Sequence, residues 1–293
     1  MTSRFNAVPL DLSRLPPPDV IRDISYEAIL SDRIGRLLDL FSEAGIEFDV
    51  ENLETDSAII LQQADAYREM LGKAAINDAL RAVLIAFAAG ADLDHRAADY
   101  GVTRMEGETD AGLRRRVLFA PEAYGAAGPI GAYKFHALSA STLVRHADVW
   151  SPQPGHVEIA IQSTEGNGIG TTSEDLLAKV RERVLREDIK PLTDAVAIRS
   201  VSVELYQIDV TVYIKPGPSP QTVKEAVIQS LEAMAAVRNT PARDVPRSAV
   251  YAAASIGDVD RVVIHKPTGD IAMGRGETAL CEDISVTVEV MDV

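Results

Sequence analysis

The sequence predicts a multi-domain α+β protein, with an N-terminal helical region followed by two small α+β domains. Three observations carry this expectation. Helical spacing dominates as far as Gly101, and beyond it helices and strands follow one another without the regular β–α–β alternation of a parallel sheet. The length, 293 residues, leaves room for two or three cores of ordinary size. Aromatic residues are only 5%, so those cores are expected to be small and divided. The expected boundaries are 1–105 for an arm and helical bundle, 106–205 for a middle domain and 206–293 for an oligomerising C-terminal domain.

The first segment reads as an arm. Leu15-Pro16-Pro17-Pro18-Asp19-Val20-Ile21 is expected to be extended, because consecutive prolines favour polyproline II and exclude helix before them. Its apolar residues Leu15, Val20 and Ile21 suit docking against a neighbour. From Tyr26 to Ala44, Ile29, Leu30, Ile34, Leu37, Leu38 and Phe41 recur at helical spacing, with Gly45 as a stop. Thr55-Asp56 opens a second helix, expected to continue to Ala89. Its stripe Ile60, Ala64, Tyr67, Leu71 follows the four-three alternation of a coiled-coil seam and then drifts onto Leu84 and Phe87. A helix of about 33 residues is about 50 Å long, more than two helices and an arm readily cover, so a partner helix competes with an internal core. Asn77 interrupts this apolar stretch and must find partners if buried.

In the middle domain, Thr109-Asp110 starts a helix through Leu113, Val117 and Leu118, and a short helix carries Ala132, Tyr133 and Leu138. Strands are expected at 143–150 and 156–162, joined by a turn in which Pro152, Pro154 and Gly155 supply fixed and permissive φ. A helix over 173–186 and a strand over 195–203 complete the domain. In the C-terminal domain, Ile208, Val210, Val212 and Ile214 alternate with polar residues as a half-buried strand. Helices at 222–237 and 246–254 and strands at 259–265 and 284–290 follow. Pro246-x-x-Ala249 with Val262-Val263-Ile264 and Pro267-x-Gly269 echoes Pro129-x-x-Ala132 with Val149 and Pro152-x-x-Gly155, the trace of an internal duplication.

Charge and cysteine content narrow the function. The net charge is −15, which repels a polyanion at long range and argues against nucleic acid. Arg114, Arg115 and Arg116 form the one tight basic cluster and read as an exposed helix face. One cysteine, Cys281, permits no intrachain disulfide and fits maturation in a reducing cytoplasm. The longest apolar run, Ala82 to Ala91, falls short of the roughly 20 residues a membrane span needs.

Candidate chemistry is sparse. Gly166-Asn167-Gly168-Ile169-Gly170-Thr171-Thr172 lies between a strand and a helix, where phosphate loops sit, but lacks the lysine of a P-loop and the spacing of a dinucleotide fingerprint. A nucleotide- or phosphate-binding enzyme using this loop is one reading of the function, and a soluble adaptor is another. The histidines, at 95, 136, 146, 156 and 265, show no metal-ligand spacing, although His146 and His156 flank a hairpin across which they could meet. Asp92, Asp94, Asp99, Glu106, Glu108 and Asp110 crowd one linker without an EF-hand pattern. Ser139 and Ser141 lack a nucleophile elbow. No catalytic residue, metal site or cofactor is expected.

A longer pattern is more specific. Glu108-Thr109-Asp110, Arg115-Arg116-Val117-Leu118 ahead of Ala120-Pro121-Glu122-Ala123, and Ala127-Gly128-Pro129 ahead of Gly131-Ala132-Tyr133 stand in sequence. Ser151-Pro152-Gln153-Pro154-Gly155 and Pro191-Leu192-Thr193-Asp194 follow. Ala66-Tyr67-Arg68-Glu69, Ile76-Asn77-Asp78-Ala79 and Ala86-Phe87-Ala88-Ala89-Gly90 precede them, with the Leu15–Ile21 arm. This string resembles the baseplate J-like family of contractile-tailed bacteriophages and tailocins over nearly the whole chain. The resemblance implies a structural wedge component of the virion tail baseplate, assembled in the host cytoplasm. It further implies two copies joined to a smaller tail protein through N-terminal helices, and C-terminal domains meeting between neighbouring wedges. The ring they close around the hub would also meet a sheath-initiator-like lysozyme-fold protein and change diameter on sheath contraction. In that family the glycine loop has no catalytic role.

Overall fold

A computed structural model of the chain describes residues 18, 23–47, 56–125, 128–166 and 170–291. It divides into two compact units, one within residues 10–103 and one running from Arg104 onward. The first is helical and the second is α+β.

The helical unit contains α1 (Tyr26–Glu43), α2 (Ser57–Ala82) and α3 (Gly90–Ala98). The Ser25 hydroxyl accepts from the Ala28 N–H, and the Asp56 carboxylate accepts from the Ala58 N–H at 2.7 Å, so both long helices begin at side-chain caps. α1 packs on α2 over Ile29, Ile59 and Ala66, which are buried. Arg33 of α1 fastens the pair from one side chain. Its Nη1 meets Glu69 Oε2 at 2.7 Å, Nη2 meets Asp65 Oδ2 at 3.3 Å, and Nε donates to Gln62 Oε1. Asn77 lies buried and partnered on α2.

α2 stops at Ala82, seven residues before the expected end. The chain turns there, with Phe87 and Ala88 N–H groups donating to the Leu84 carbonyl, and Gly90 adopts φ +54° as α3 begins. This reversal buries Ala88 and half-buries Leu84 and Phe87, apolar side chains that a straight helix would have carried into water.

The second unit opens with α4 (Asp110–Ala123), α5 (Ile130–Leu138), β1 (Val144–Trp150), β2 (His156–Ser163), α6 (Glu174–Val184) and β3 (Ala195–Ser200). The sheet order is β1-β2-β3, with β1 antiparallel and β3 parallel to β2. α6 turns Leu176, Leu177, Val180 and Val184 onto Ile159, Ile161, Ile198 and Tyr133, one buried cluster. Val201 then carries the chain directly into β4 (Ser202–Ile214), followed by α7 (Pro220–Arg238), α8 (Arg247–Ala254), β5 (Val259–Lys266) and β6 (Glu277–Val290). Ile208, Val210, Val212 and Ile214 are almost fully buried beneath Val223, Val227, Leu231, Val250 and Ala254, as their alternation predicts. The order here is β5-β4-β6, with β5 antiparallel and β6 parallel to β4.

Each sheet therefore has a central strand with one antiparallel and one parallel neighbour. The echo between Pro129 and Pro246 is structural in its first half, since each proline precedes a short helix that leads into the antiparallel edge strand. The second half departs: β2 returns to the sheet centre, whereas β6 takes the parallel edge. Among the described residues no helix is long and apolar enough to cross a membrane.

Candidate assembly surface and the junctions behind it

At 100° per residue, Ile60, Ala64, Tyr67 and Leu71 share a side of α2 turned away from Ile59 and Ala66, the side that α1 covers. The structure leaves that side open: Ile60 is 50%, Tyr67 52% and Leu71 49% exposed, and Ala64 is exposed with them. Leu61 and Ile76 add further exposed apolar area on the same helix. Leu84 and Phe87 do not continue the stripe, because the helix ends before them. Leu15, Val20 and Ile21 lie outside the described residues.

The motifs of the second unit form a linked set of contacts. Glu108 grips Arg116 through Nε at 2.7 Å and Nη2 at 2.6 Å, both side chains being almost wholly buried, and also accepts from the Met105 N–H. Thr109 caps α4 through the Gly112 N–H, and Asp110 pairs with Arg104 at 2.7 Å. Arg116 is therefore a core residue and not part of an exposed basic face. Four residues of helix place it on the inner side with Leu113, Val117 and Ala120. Glu122 accepts from the Gly131 N–H at 2.8 Å, and a Cβ on Gly131 would fall 2.1 Å from that carboxylate. Gly128, at φ +65°, lets Pro191 approach so closely that an added Cβ would meet its ring at 2.7 Å. Tyr133 donates to Asp194 at 2.7 Å, and burial followed by that carboxylate pushes the phenol well above its ordinary range. Ala195 N–H donates to the Gly155 carbonyl at 2.7 Å, closing the loops 151–155 and 190–194 onto one end of the sheet.

A second set of contacts joins the two sheets. Asp148 of β1 is buried, pairs with Arg275 at 3.1 Å and accepts from the Gly276 N–H at 2.9 Å. Arg275 also donates to the Val149 carbonyl at 2.5 Å, and it and Arg199 both stack on the Trp150 ring. Gln162 donates to Asn239 at 2.6 Å, and Thr278 donates to the same Asn239 oxygen at 3.1 Å, all three buried. Sequence reading missed these residues. The available signals were an aspartate between Ala147 and Val149 in a strand, the single tryptophan and a glycine at 276.

The glycine loop offers a phosphate little. Glu165 accepts from Ser173 N–H and Oγ, both at 2.9 Å, so a carboxylate already occupies the start of α6, with Glu174 and Asp175 in its first turn. Residues 167–169 lie outside the description. His146 stands opposite Gln162, and His156 opens β2 at the other end of the strand, so the two do not meet across the hairpin. Asp99, Glu108 and Asp110 of the acidic linker each pair with an arginine. Among the described residues no group of three metal-ligating side chains converges.

Three family models match successive parts of the chain: the baseplate J-like N-terminal domain over residues 54–108, the central domain over 125–200 and the C-terminal domain over 206–287. Baseplate protein J of Escherichia phage P2 is 36% identical over 296 aligned residues, covering 94% of this chain and 97% of that protein. With the motif residues accounted for as contacts within the fold, the chain belongs to the baseplate J-like family.

Proposed function

We propose that the protein is a structural component of a contractile phage or tailocin tail baseplate and acts through assembly rather than catalysis. One observation carries the reading: an apolar, coiled-coil-spaced face of α2 remains open while the opposite face is closed by α1. Helices of this kind bury such a seam against another helix. A second copy of the chain and a smaller tail protein are the proposed occupants, in a wedge that also contacts a lysozyme-fold baseplate protein. Neighbouring wedges would meet through the C-terminal domains, and the ring would transmit the change that triggers sheath contraction. The division at 1–105, 106–205 and 206–293 assigns one of these roles to each part. The acidic start of α6 supports the structural reading over the nucleotide-binding alternative.

Co-expression with the proposed smaller tail protein tests this. Tyr67→Glu or Leu71→Glu is expected to abolish co-purification while the α+β unit keeps its near-UV spectrum. Unchanged co-purification of both variants would remove α2 as the assembly face.

A further inference from the structure

The basic run Arg114–Arg116 is not used up by the fold. Arg116 is neutralised by Glu108, but Arg115, its neighbour, donates to the Arg145 carbonyl and has no carboxylate within ion-pair distance among the described residues. Arg145 likewise has no ion-pair partner among them. Both are half-buried, as are His146 on β1 and Lys134 on α5. The chain holds 44 acidic against 29 basic residues, so a half-buried arginine lacking a carboxylate is unexpected. The electrostatics agree. Burial, then Arg145, lowers Arg115, and burial lowers Arg145. Burial, then Arg115, Arg145 and Lys134, drives His146 down to about 3. Lys134 is lowered chiefly by burial, with Asp148 and Glu122 opposing and Arg275 adding to the fall.

Beside this cluster lies a cavity of about 90 Å³, lined in part by Thr109, Gly112, Arg115, Arg116, Ser141 and Thr142. That space is several times what a single water needs, enough for one small tetrahedral anion. Glu108 also borders it, with its charge held by Arg116. Guanidinium groups bind oxyanions through parallel N–H donors, and hydroxyls complete such a shell. We propose that the seam between α4, α5 and β1 is a binding site for a small oxyanion of the phosphate or sulfate class. Arg115 is its principal ligand, Ser141 and Thr142 are hydroxyl donors, and Arg145 is the outer positive charge. The bound anion would supply the counter-charge that the fold omits and tie the start of α4 to the edge strand.

Thermal unfolding of the full chain in sodium phosphate or sulfate, against sodium chloride at matched pH and ionic strength, tests the proposal. At several times Kd either oxyanion is expected to raise Tm by about 2–4 °C. Arg115→Gln should abolish the rise and Arg145→Gln should reduce it, whereas Arg81→Gln, on α2, should leave it whole. Should Arg115→Gln fail to fold, Arg145→Gln and Arg115→Lys carry the test, each expected to weaken the response. Equal Tm in oxyanion and chloride overturns the site, and so does a rise that persists undiminished in the Arg145 variant. A rise with acetate alone would overturn the assignment to tetrahedral oxyanions.

Discussion

Glu108 and Arg116 form a two-point ion pair within the core of the α+β unit, 4% and 6% exposed, and the Ser139 hydroxyl accepts from Arg116 at 3.4 Å. Removing one member of such a pair leaves a buried charge without its partner, which costs about 3–5 kcal/mol. Glu108→Gln is therefore expected to lower the urea midpoint sharply. The double variant Glu108→Gln with Arg116→Met should recover much of the loss, since replacing both members removes the stranded charge. Equal loss in the single and double variants would show that the residues do not act as a pair.

Gly276 allows the two sheets to touch. It adopts φ +73°, and a Cβ there would lie 2.6 Å from Arg199, 3.0 Å from Trp150 and 3.1 Å from Ala160. Gly276→Ala adds left-handed backbone strain and crowding together, so a loss of about 2 kcal/mol or more is expected in chemical denaturation. Trp150 fluorescence should shift as well, because the added carbon crowds the indole ring itself and its Arg199 partner.

These two sites differ in how visible they are from sequence. Capped helix starts are local: Asp56 and Thr109 cap where the sequence suggests, and Ser25 and Ser173 cap the helices that follow them. The role of Glu108 was hidden inside a motif whose letters matched a family without revealing the contact. The junction was not legible at all: Gln162 and Asn239 are 77 residues apart, Asp148 and Gly276 128 apart, and polar pairs leave no periodic trace. The first half of β6, Glu277–Asp283, escaped for a related reason. It carries charges and no alternation, and is a strand because Ser202–Gln207 of β4 pair with it. The early end of α2 reverses the argument, since an apolar run that reads as helix instead turns to bury itself.

Two histidines give the fold a pH dependence with a definite sign. Burial first, and then nearby cations, lowers His146 to about 3 and His136 to about 4, the latter with Arg183 beside it. The unfolded chain takes up these protons near pH 6.5, whereas the folded chain does so only near pH 3–4. Between those limits the unfolded state binds more protons, so stability falls as pH falls. Melting temperature is expected to drop progressively from pH 6.5 toward pH 4. His146→Gln should flatten that slope relative to its own neutral-pH value, and an unchanged slope would assign the acid sensitivity elsewhere.

The C-terminal sheet gives the last expectation. One face of β4 is sealed by α7 and α8, but Leu205, Tyr213 and Val263 belong to the other, and Leu205 is 50% and Val263 37% exposed. Arg261 lies 3.9 Å from the Tyr213 ring centre, so this face presents an aromatic–guanidinium pair with Val263 on the same strand as the arginine. Interfaces favour such residues at their centres. Among the described residues, α7 and α8 pack on the opposite side of the sheet. A weak contact between copies, multiplied around a ring, would gain strength through effective concentration without any single strong interface. The full chain is therefore expected to show concentration-dependent sedimentation, and Val263→Asp should suppress the dependence by placing a charge at the centre of the face. Glu232→Lys on α7, away from this face, is the control and should leave self-association intact. Identical sedimentation of wild type and Val263→Asp at high concentration would exclude this face.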